Sequence, residues 1–499
     1  MAKKKSAFDR APQRTVNVDQ LNAQALSFLQ QGQFQAGADL LSQSLTQNAR
    51  QPGIYYNFGF ALQQLGLLDS AIQAYGQAIA LAPNDADAFM ARGHMFATQK
   101  RFQEATGDFA KAVKLVPQNA DAWNNYGNAL LESARGPEAI EAYDKAIELR
   151  PGFAQALFNK GKALAALEHY VEAGEVYESA LAINPNYEEA KWHLSWVRLV
   201  RGEFAEGWKL FESRWTVAEL GNMRRYGQLP QWLSQDSISG RFLLLYNEQG
   251  LGDTLQFCRY IPILQAMGAK VSLAVQAPLV ALLANQWPGV AVAESFSNLT
   301  VFDLATPLMS LPLALGTTLE TIPADVPYIR LPNFVQPERH EWPRVGIVWS
   351  GSTLHKNDKN RSMPLEMLAP LFELPVDWIC LQPEIRDADA AWLAAHPEVR
   401  LERPALNDFV ETAQIIAGLD LVVSVDTSVA HLAGALGKLV WILLPTGCDY
   451  RWLLEREDSP WYPTARLFRQ MLRGDWASVV SRVVEALKTF SVPRTDTSK

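Results

Sequence analysis

A spacing of 34 residues runs through the first half of this 499-residue chain. It places prolines at Pro83, Pro117, Pro151 and Pro185, and glycines at Gly59, Gly93, Gly127 and Gly161. The same step carries Ala71, Ala105, Ala139 and Ala173, the aromatics Tyr75, Phe109, Tyr143 and Tyr177, and a closing set Ala78, Ala112, Ala146 and Ala180. Residue classes kept in register over successive units define a stacked supersecondary repeat. The small residues belong where two helices approach closely, and the aromatic fills the gap between neighbouring units. Proline lacks an N–H and clashes with the preceding turn, so it ends the second helix. A degenerate unit precedes these four, with Ala25 and Gly37 in register. Another follows, where Ser195, Gly207 and Phe211 hold the register but Arg214 replaces the closing alanine. Terminal repeats deviate because one of their faces lacks a repeat neighbour.

These residues resemble the tetratricopeptide repeat (TPR), with about six units expected over residues 18–220. The resemblance implies an α-solenoid whose concave face binds a peptide or protein partner; a spacer or oligomerisation arm is the plainer use. The last unit is rich in indoles: Trp192, Trp196, Trp208 and Trp215, with Trp232 beyond. They form either an apolar joint against the next domain or a ligand-stacking platform, and Trp192 and Trp196 share one helix face.

Length and composition bound the remainder. A chain of this size exceeds one hydrophobic core, and 48% hydrophobic with 20% charged residues is a globular balance. A net charge of −8 gives no electrostatic basis for binding nucleic acid. The three cysteines, Cys258, Cys380 and Cys448, are far apart and form no CxxC or Cys/His cluster. That spacing disfavours a disulfide framework or zinc site and fits a reducing cytoplasm. No run reaches the roughly 18 apolar residues of a membrane span. Residues 1–17, with Lys3 to Lys5, lack a signal-peptide core and read as a solvated, disordered basic tail, and 491–499 as a second tail.

From Arg241 the period changes. RFLLLY, a helix from Asp253 to Met267, KVSLAV and a helix near Pro278 to Asn285 alternate. A second series begins at Arg344 with RVGIVW and continues through DWICLQ, VRLE, LDLVVSVD and LVWILLP. Strands separated by helices predict parallel sheets, hence an α + α/β chain with two Rossmann-like lobes at 221–330 and 344–490. Prolines crowd residues 321–343, and the interdomain linker is set at 331–343. Two doubly wound lobes would hold a ligand cleft at the carboxyl ends of their strands.

Two motifs fall at such ends. Asn247-Glu248-Gln249-Gly250-Leu251-Gly252-Asp253 follows the first strand and opens a helix. Gly250 and Gly252 let backbone approach a ligand, and the helix start favours an anion. Asp253 stands in the first turn, where a carboxylate can equally serve as a cap. Ser424-Val425-Asp426-Thr427-Ser428-Val429-Ala430-His431 likewise joins a strand to a helix. Asp426, Thr427 and Ser428 are good cap formers whose hydroxyls and free N–H groups suit phosphate, and His431 shares Thr427's face.

In this order the two motifs resemble the glycosyltransferase domain related to bacterial lipopolysaccharide heptosyltransferases. The resemblance implies the GT-B fold, a nucleotide-sugar donor and a glycan or protein acceptor. The family pattern Asp-Thr-Gly-Leu departs here to Ser428 and Val429. The loop after RVGIVW is similar too: Arg361 takes the place of the family's phosphate-contacting lysine, with Lys359 and Lys356 nearby. Arginine offers a bidentate fork where lysine is a point charge. TPR repeats joined to such a lobe pair also resemble O-linked N-acetylglucosamine transferases in organisation alone.

No DxD-like carboxylate pair stands at a strand end, which predicts a metal-independent reaction with no cofactor, and the resemblance implies an inverting transferase in which Asp253 accepts the acceptor hydroxyl's proton. Arg361, Lys359 and the Thr427–Ser428 helix start would stabilise the leaving diphosphate, with Ser350 and Ser352 in the same donor loop. Asp426 would cap the helix or hold a ribose or sugar hydroxyl, and Gln382 and Glu384 follow a strand near the expected base or ribose pocket. Asp449 and Arg451, after LVWILLP, would contact sugar or phosphate, or pair with Arg456 or Glu455. Asp387 and Asp389 have DxD spacing but begin a helix away from the cleft. A TPR scaffold with an inactive lobe pair is the rival reading. A nucleotide-sugar epimerase is disfavoured because its Tyr-x-x-x-Lys pair and full GxGxxG are missing.

Overall fold

The computed structural model describes residues 17–490 apart from 218, 219, 222, 223, 235, 333, 338, 339 and 356. Residues 1–16 of the basic tail, with Lys3 to Lys5, and Lys356 and residues 491–499 lie outside the described residues, whereas Asn17, assigned to that tail, caps the first helix. Two compact units meet in sequence after Pro185.

The first unit is a run of helix pairs from Val18–Gln30 and Phe34–Gln47 to Ala154–Ala166 and Tyr170–Ile183. The register classes have visible causes. A Cβ on Gly59 would sit 2.8 Å from the Tyr75 ring, and one on Gly127 2.6 Å from Tyr143. Each aromatic therefore lies first against the glycine of its own repeat, and then reaches onward: Tyr75 packs with Met95 of the next unit. The aromatic thus reaches the gap between units from a seat on the glycine of its own repeat. Pro83 and Pro117 follow the C-caps Ala82 and Val116, where an N–H is no longer needed. Asp85 and Asn119 cap the next first helices through their side chains.

One further register class was not legible in the sequence. Gly32, Gly66, Lys100, Ala134, Glu168 and Gly202 all have positive φ, between 59° and 79°. They close the first helix of every pair with a left-handed residue. Half are not glycine, which hides the class.

The second unit begins with the sixth helix pair, Glu188–Val200 and Phe204–Phe211. The expected division at residue 220 therefore differs from the boundary between compact units, because this last pair packs on the sheet region. Four parallel strands follow, β1 (Phe242–Tyr246), β2 (Lys270–Ala274), β3 (Ala291–Ala293) and β4 (Leu304–Pro307), in the order β3-β2-β1-β4. A second parallel sheet holds β5 (Arg344–Val348), β6 (Asp377–Cys380), β7 (Leu401–Glu402), β8 (Leu421–Val425), β9 (Val440–Leu444) and β10 (Ala465–Arg469), in the order β10-β9-β8-β5-β6-β7. Strands β8 and β9 are buried at every position, as expected where both faces are covered. Strands β3, β4 and β10 went unrecognised because they are short or carry polar residues. The helix expected from Asp253 to Met267 is instead Leu251–Phe257 and Ile261–Ala266 joined by a 3₁₀ turn, with Pro262 starting the second piece. Between the sheets the chain is tied to the second one: Tyr328 and Ile329 both donate N–H to the Ala435 carbonyl.

Candidate functional site

Parallel strands end on one side of their sheet, so the loops that follow them converge. The loops after β1, β5, β8 and β9 line one cleft of about 640 Å³. The cleft gathers Gly250, Gly252 and Asp253 from the first motif and Asp426, Thr427, Ser428 and His431 from the second. Ser352, Arg361, Asp449 and Arg451 join them.

Asp253 occupies the third position of the Leu251–Phe257 helix, and its Oδ2 accepts the Gly250 N–H at 2.7 Å. Its other oxygen accepts from Arg451 Nη2. Arg451 also donates to Asp449 Oδ1 at 2.7 Å and, through Nε, to Gln256. Arg456 pairs with Asp458, so the ion pair expected among Arg451, Asp449, Arg456 and Glu455 is drawn differently, with Arg451 bridging Asp449 and Asp253. Burial pushes the Asp253 carboxyl above the usual carboxylate range, against the pull of Arg451.

The Ser428–Ala435 helix is buried from Val429 to Ala435 and starts on the cleft. Among the described residues no side chain caps it, contrary to the capping role expected of Asp426. The Thr427 hydroxyl instead lies 3.1 Å from Ser424 Oγ. An uncapped start leaves N–H groups and the positive end of the helix dipole for a ligand. The Asp426 carboxylate lies 3.8 Å from His431 Nε2. Burial, reinforced by the Asp449 charge, raises its pKa to about 6.

His431 joins the two motifs. Its Nδ1 is 2.8 Å from the Tyr462 hydroxyl and its ring stacks on Trp452 at 5.4 Å. A Cβ on Gly252 would stand 2.7 Å from His431 Cδ2, so only glycine permits this contact. Burial holds the imidazole well below its usual range and hence neutral, with Arg451 and Arg259 acting in the same direction.

In the loop after β5, Arg361 Nη1 donates to the Asp426 carbonyl at 3.0 Å. Its guanidinium lies against Gly351, where any Cβ would strike it. Arg361 Nε is buried and makes no hydrogen bond among the described residues. Arg386, from the segment after β6, reaches this loop and pairs with Asp358 at 2.7 Å.

Three expected donor-binding residues fall elsewhere. Lys359 is exposed and outside the cleft wall. The Gln382 amide accepts the N–H groups of Trp349 and Ser350, and donates to Ser350 Oγ and the Glu384 carbonyl. Ser350 and Gln382 therefore clamp β5 to β6, and neither lines the cleft. Asp389 is buried and accepts from Trp349 Nε1 at 2.8 Å and the Leu365 N–H, so the Asp387–Asp389 spacing is a structural feature of its helix. Sequence reasoning missed His355 and Gly351, which lay inside the basic loop, and left Trp196, which lies on the cleft wall, between a joint and a ligand platform.

The indole-rich repeat is mostly a joint. Trp208 is buried among Phe211, Phe257 and Tyr450, and Phe204 lies 6.0 Å from Trp461. Arg214, in the closing-alanine position, is fully buried between the Phe211 and Trp215 rings. It forms a two-point pair with Glu248 at 2.8 and 3.0 Å, and bonds Glu212 and Ser310 at 2.7 Å each. The departure from the repeat is thus the residue that ties the last helix pair to the Asn247–Asp253 loop.

A family model of the tetratricopeptide repeat matches residues 22–75, 56–120, 101–152 and 124–188. The N-terminal region is a TPR array. Protein FlbA of Caulobacter vibrioides is 28% identical over 333 residues, covering 59% of this chain and 54% of FlbA. The chain thus spans about half the length of that curated relative. Among solved structures, MamA from Desulfovibrio magneticus is 20% identical over 34% of this chain and 96% of its own, with a TM-score of 0.33. YrrB, a TPR protein with an unusual peptide-binding site, is 20% identical over 36% of this chain and 94% of its own, at 0.32. A tetratricopeptide repeat protein from Parabacteroides merdae is 15% identical over 40% of this chain and 79% of its own, at 0.37. Among the described residues no helix is long and apolar enough to cross a membrane.

Proposed function

We propose that the sheet-bearing unit transfers a sugar from a nucleotide-sugar donor to a hydroxyl of a glycan or protein, as a metal-independent GT-B transferase. The supporting observation is the contact between the two motifs in one cleft, where Gly252 leaves room for the His431 ring. The uncapped helix start at Thr427–Ser428 and the Arg361 guanidinium would receive the donor diphosphate. The acceptor oxygen would attack the anomeric carbon while the carbon–oxygen bond to the diphosphate breaks. The diphosphate would leave with the bonding electrons, and the hydroxyl proton would pass to Asp253. Its raised pKa makes Asp253 a better base than an exposed carboxylate. The TPR array would present a peptide or protein partner.

The rival reading, an inactive scaffold, draws on a specific observation: both Asp253 oxygens are engaged, by Gly250 and Arg451. Calorimetry against ADP-, GDP-, UDP- and dTDP-sugars separates the two. Binding of one donor, with turnover lost but binding kept in Asp253→Asn, is the expected outcome. Silence across the panel favours the scaffold, and turnover unchanged in Asp253→Asn removes that residue from the base role. Activity should persist in EDTA; complete loss restored by Mg²⁺ would overturn the metal-independent mechanism.

A further inference from the structure

The Tyr462 hydroxyl, which meets His431 Nδ1 at 2.8 Å, decides where the imidazole carries its proton. Tyr462 is fully buried and His431 is 4% exposed, so a donor between them needs a partner within the protein. Close by, the Tyr328 hydroxyl accepts from Arg259 Nη2 and gives its own proton to the Leu255 carbonyl, each at 2.9 Å. Burial raises the Tyr462 pKa, whereas Arg259 and the Tyr328 hydroxyl pull it down, the effect of a cation and of a donor. Nδ1 is therefore the acceptor left for the Tyr462 proton. Were Nδ1 protonated, that proton would be buried without an acceptor, a cost the other tautomer does not carry. The single proton of the neutral ring falls on Nε2.

Nε2 makes no hydrogen bond among the described residues, and its ring lines the cleft. The Asp426 carboxylate stands 3.8 Å away, too far to accept from it directly. Trp452 approaches the same carboxylate, whose two oxygens accept about four bonds, so capacity remains. One hydroxyl oxygen about 2.8 Å from each group bridges them, accepting from Nε2–H and donating to Asp426. A phosphate oxygen cannot, since it has no proton to give and meets the carboxylate charge. Gly252 lies against the His431 ring and Asp253 is the next residue, so the bridged hydroxyl sits beside the proposed base. We infer that Tyr462 is a positioning residue that holds His431 as an Nε2–H donor, and that His431 and Asp426 together bind one hydroxyl of the transferred sugar. The identity of that ligand rests on the transferase reading above; the tautomer does not.

The experiment has two arms, both on the full chain. In the first, nitrogen NMR of histidine-labelled protein reads which imidazole nitrogen is protonated, with His431→Gln identifying the resonance. A proton on Nε2 alone is expected at neutral pH. In Tyr462→Phe, which keeps the ring but has no proton to give, the Nδ1–H form should appear. A proton on Nδ1 in the unaltered chain, or Nε2–H alone in both proteins, overturns the positioning role. In the second arm, calorimetry compares ADP-, GDP-, UDP- and dTDP-sugars with the bare diphosphates. Tyr462→Phe should weaken the nucleotide sugar that binds by about tenfold and its bare diphosphate by less than about twofold, which also reports that the cleft is folded. Equal weakening of both ligands, or an unchanged nucleotide sugar, overturns the inference. Silence across the panel with Nε2–H in the spectrum sinks the transferase and its sugar hydroxyl and leaves the tautomer standing. A nucleotide sugar that binds to a chain carrying Nδ1–H does the reverse.

Discussion

Gly252 leaves room for the His431 ring and for little else. That ring cannot retreat, since Tyr462 holds its Nδ1 and Trp452 covers its face. Gly252→Ala should therefore lower stability by about 1–3 kcal/mol, read as a fall in Tm. Gly53→Ala, at a helical site with open space, should be neutral or stabilising. Asp426 gives a pH signature. Its carboxyl titrates near 4 when unfolded but at about 6 when folded, so the native state binds its proton more tightly. The group's contribution to stability is intact below pH 4 and declines as pH rises through 6. Asp426→Asn should then stabilise the chain by about 1–3 kcal/mol at pH 7.5 and by little at pH 3.5, measured by denaturant melts. An equal gain at both pH values would refute this origin. Both motifs were legible because glycines, cap formers and a strand precede a helix in each. The Arg451–Asp253 pair was not, since it joins residues 198 apart in sequence.

Within single elements, the left-handed residue closing each first helix makes a sharper demand than the sequence advertises. Ala134 adopts φ 60° where its repeat neighbour Gly66 adopts 75°. Ala134→Gly should relieve about 1 kcal/mol of strain, partly offset by backbone entropy, and raise Tm slightly; a fall would show that the entropy term wins. The last helix pair carries a larger penalty at Arg214. Removing this buried guanidinium in Arg214→Met leaves Glu248 charged and unpaired, which should cost about 3–5 kcal/mol in equilibrium unfolding. Adding Glu248→Gln should restore part of the loss, because the uncompensated charge is then gone; no recovery would mean that packing, not charge, dominates. Helix pairs were readable from period alone. Register said that Arg214 departs from alanine, but not that its partners lie on loops after β1 and β4.

For the whole molecule, the unit boundary yields a test by truncation. A fragment starting at Asn186 keeps the aromatic cover over Phe257, Tyr450 and Trp461, and should melt cooperatively. One starting at Gly221 loses Phe204, Trp208 and Phe211, exposes that cluster, and should aggregate or melt broadly. Comparable melts for the two fragments would show that the last helix pair is dispensable to the sheets.

The 34-residue register alone determined the helical pairs, their close contacts and the ends of the second helices, because each cause acts within one repeat or between adjacent ones. The runs of β-branched and leucine residues likewise determined that strands would be parallel and separated by helices. Only the tertiary structure decided which polar residues meet. It consumed Ser350 and Gln382 in a strand clamp, sent Lys359 to the surface, and brought Asp253 to Arg451. Desolvation and pairing depend on neighbours distant in sequence, and periodicity carries no record of them. The same holds for Trp196, one indole of a cluster until the fold set it on the cleft wall.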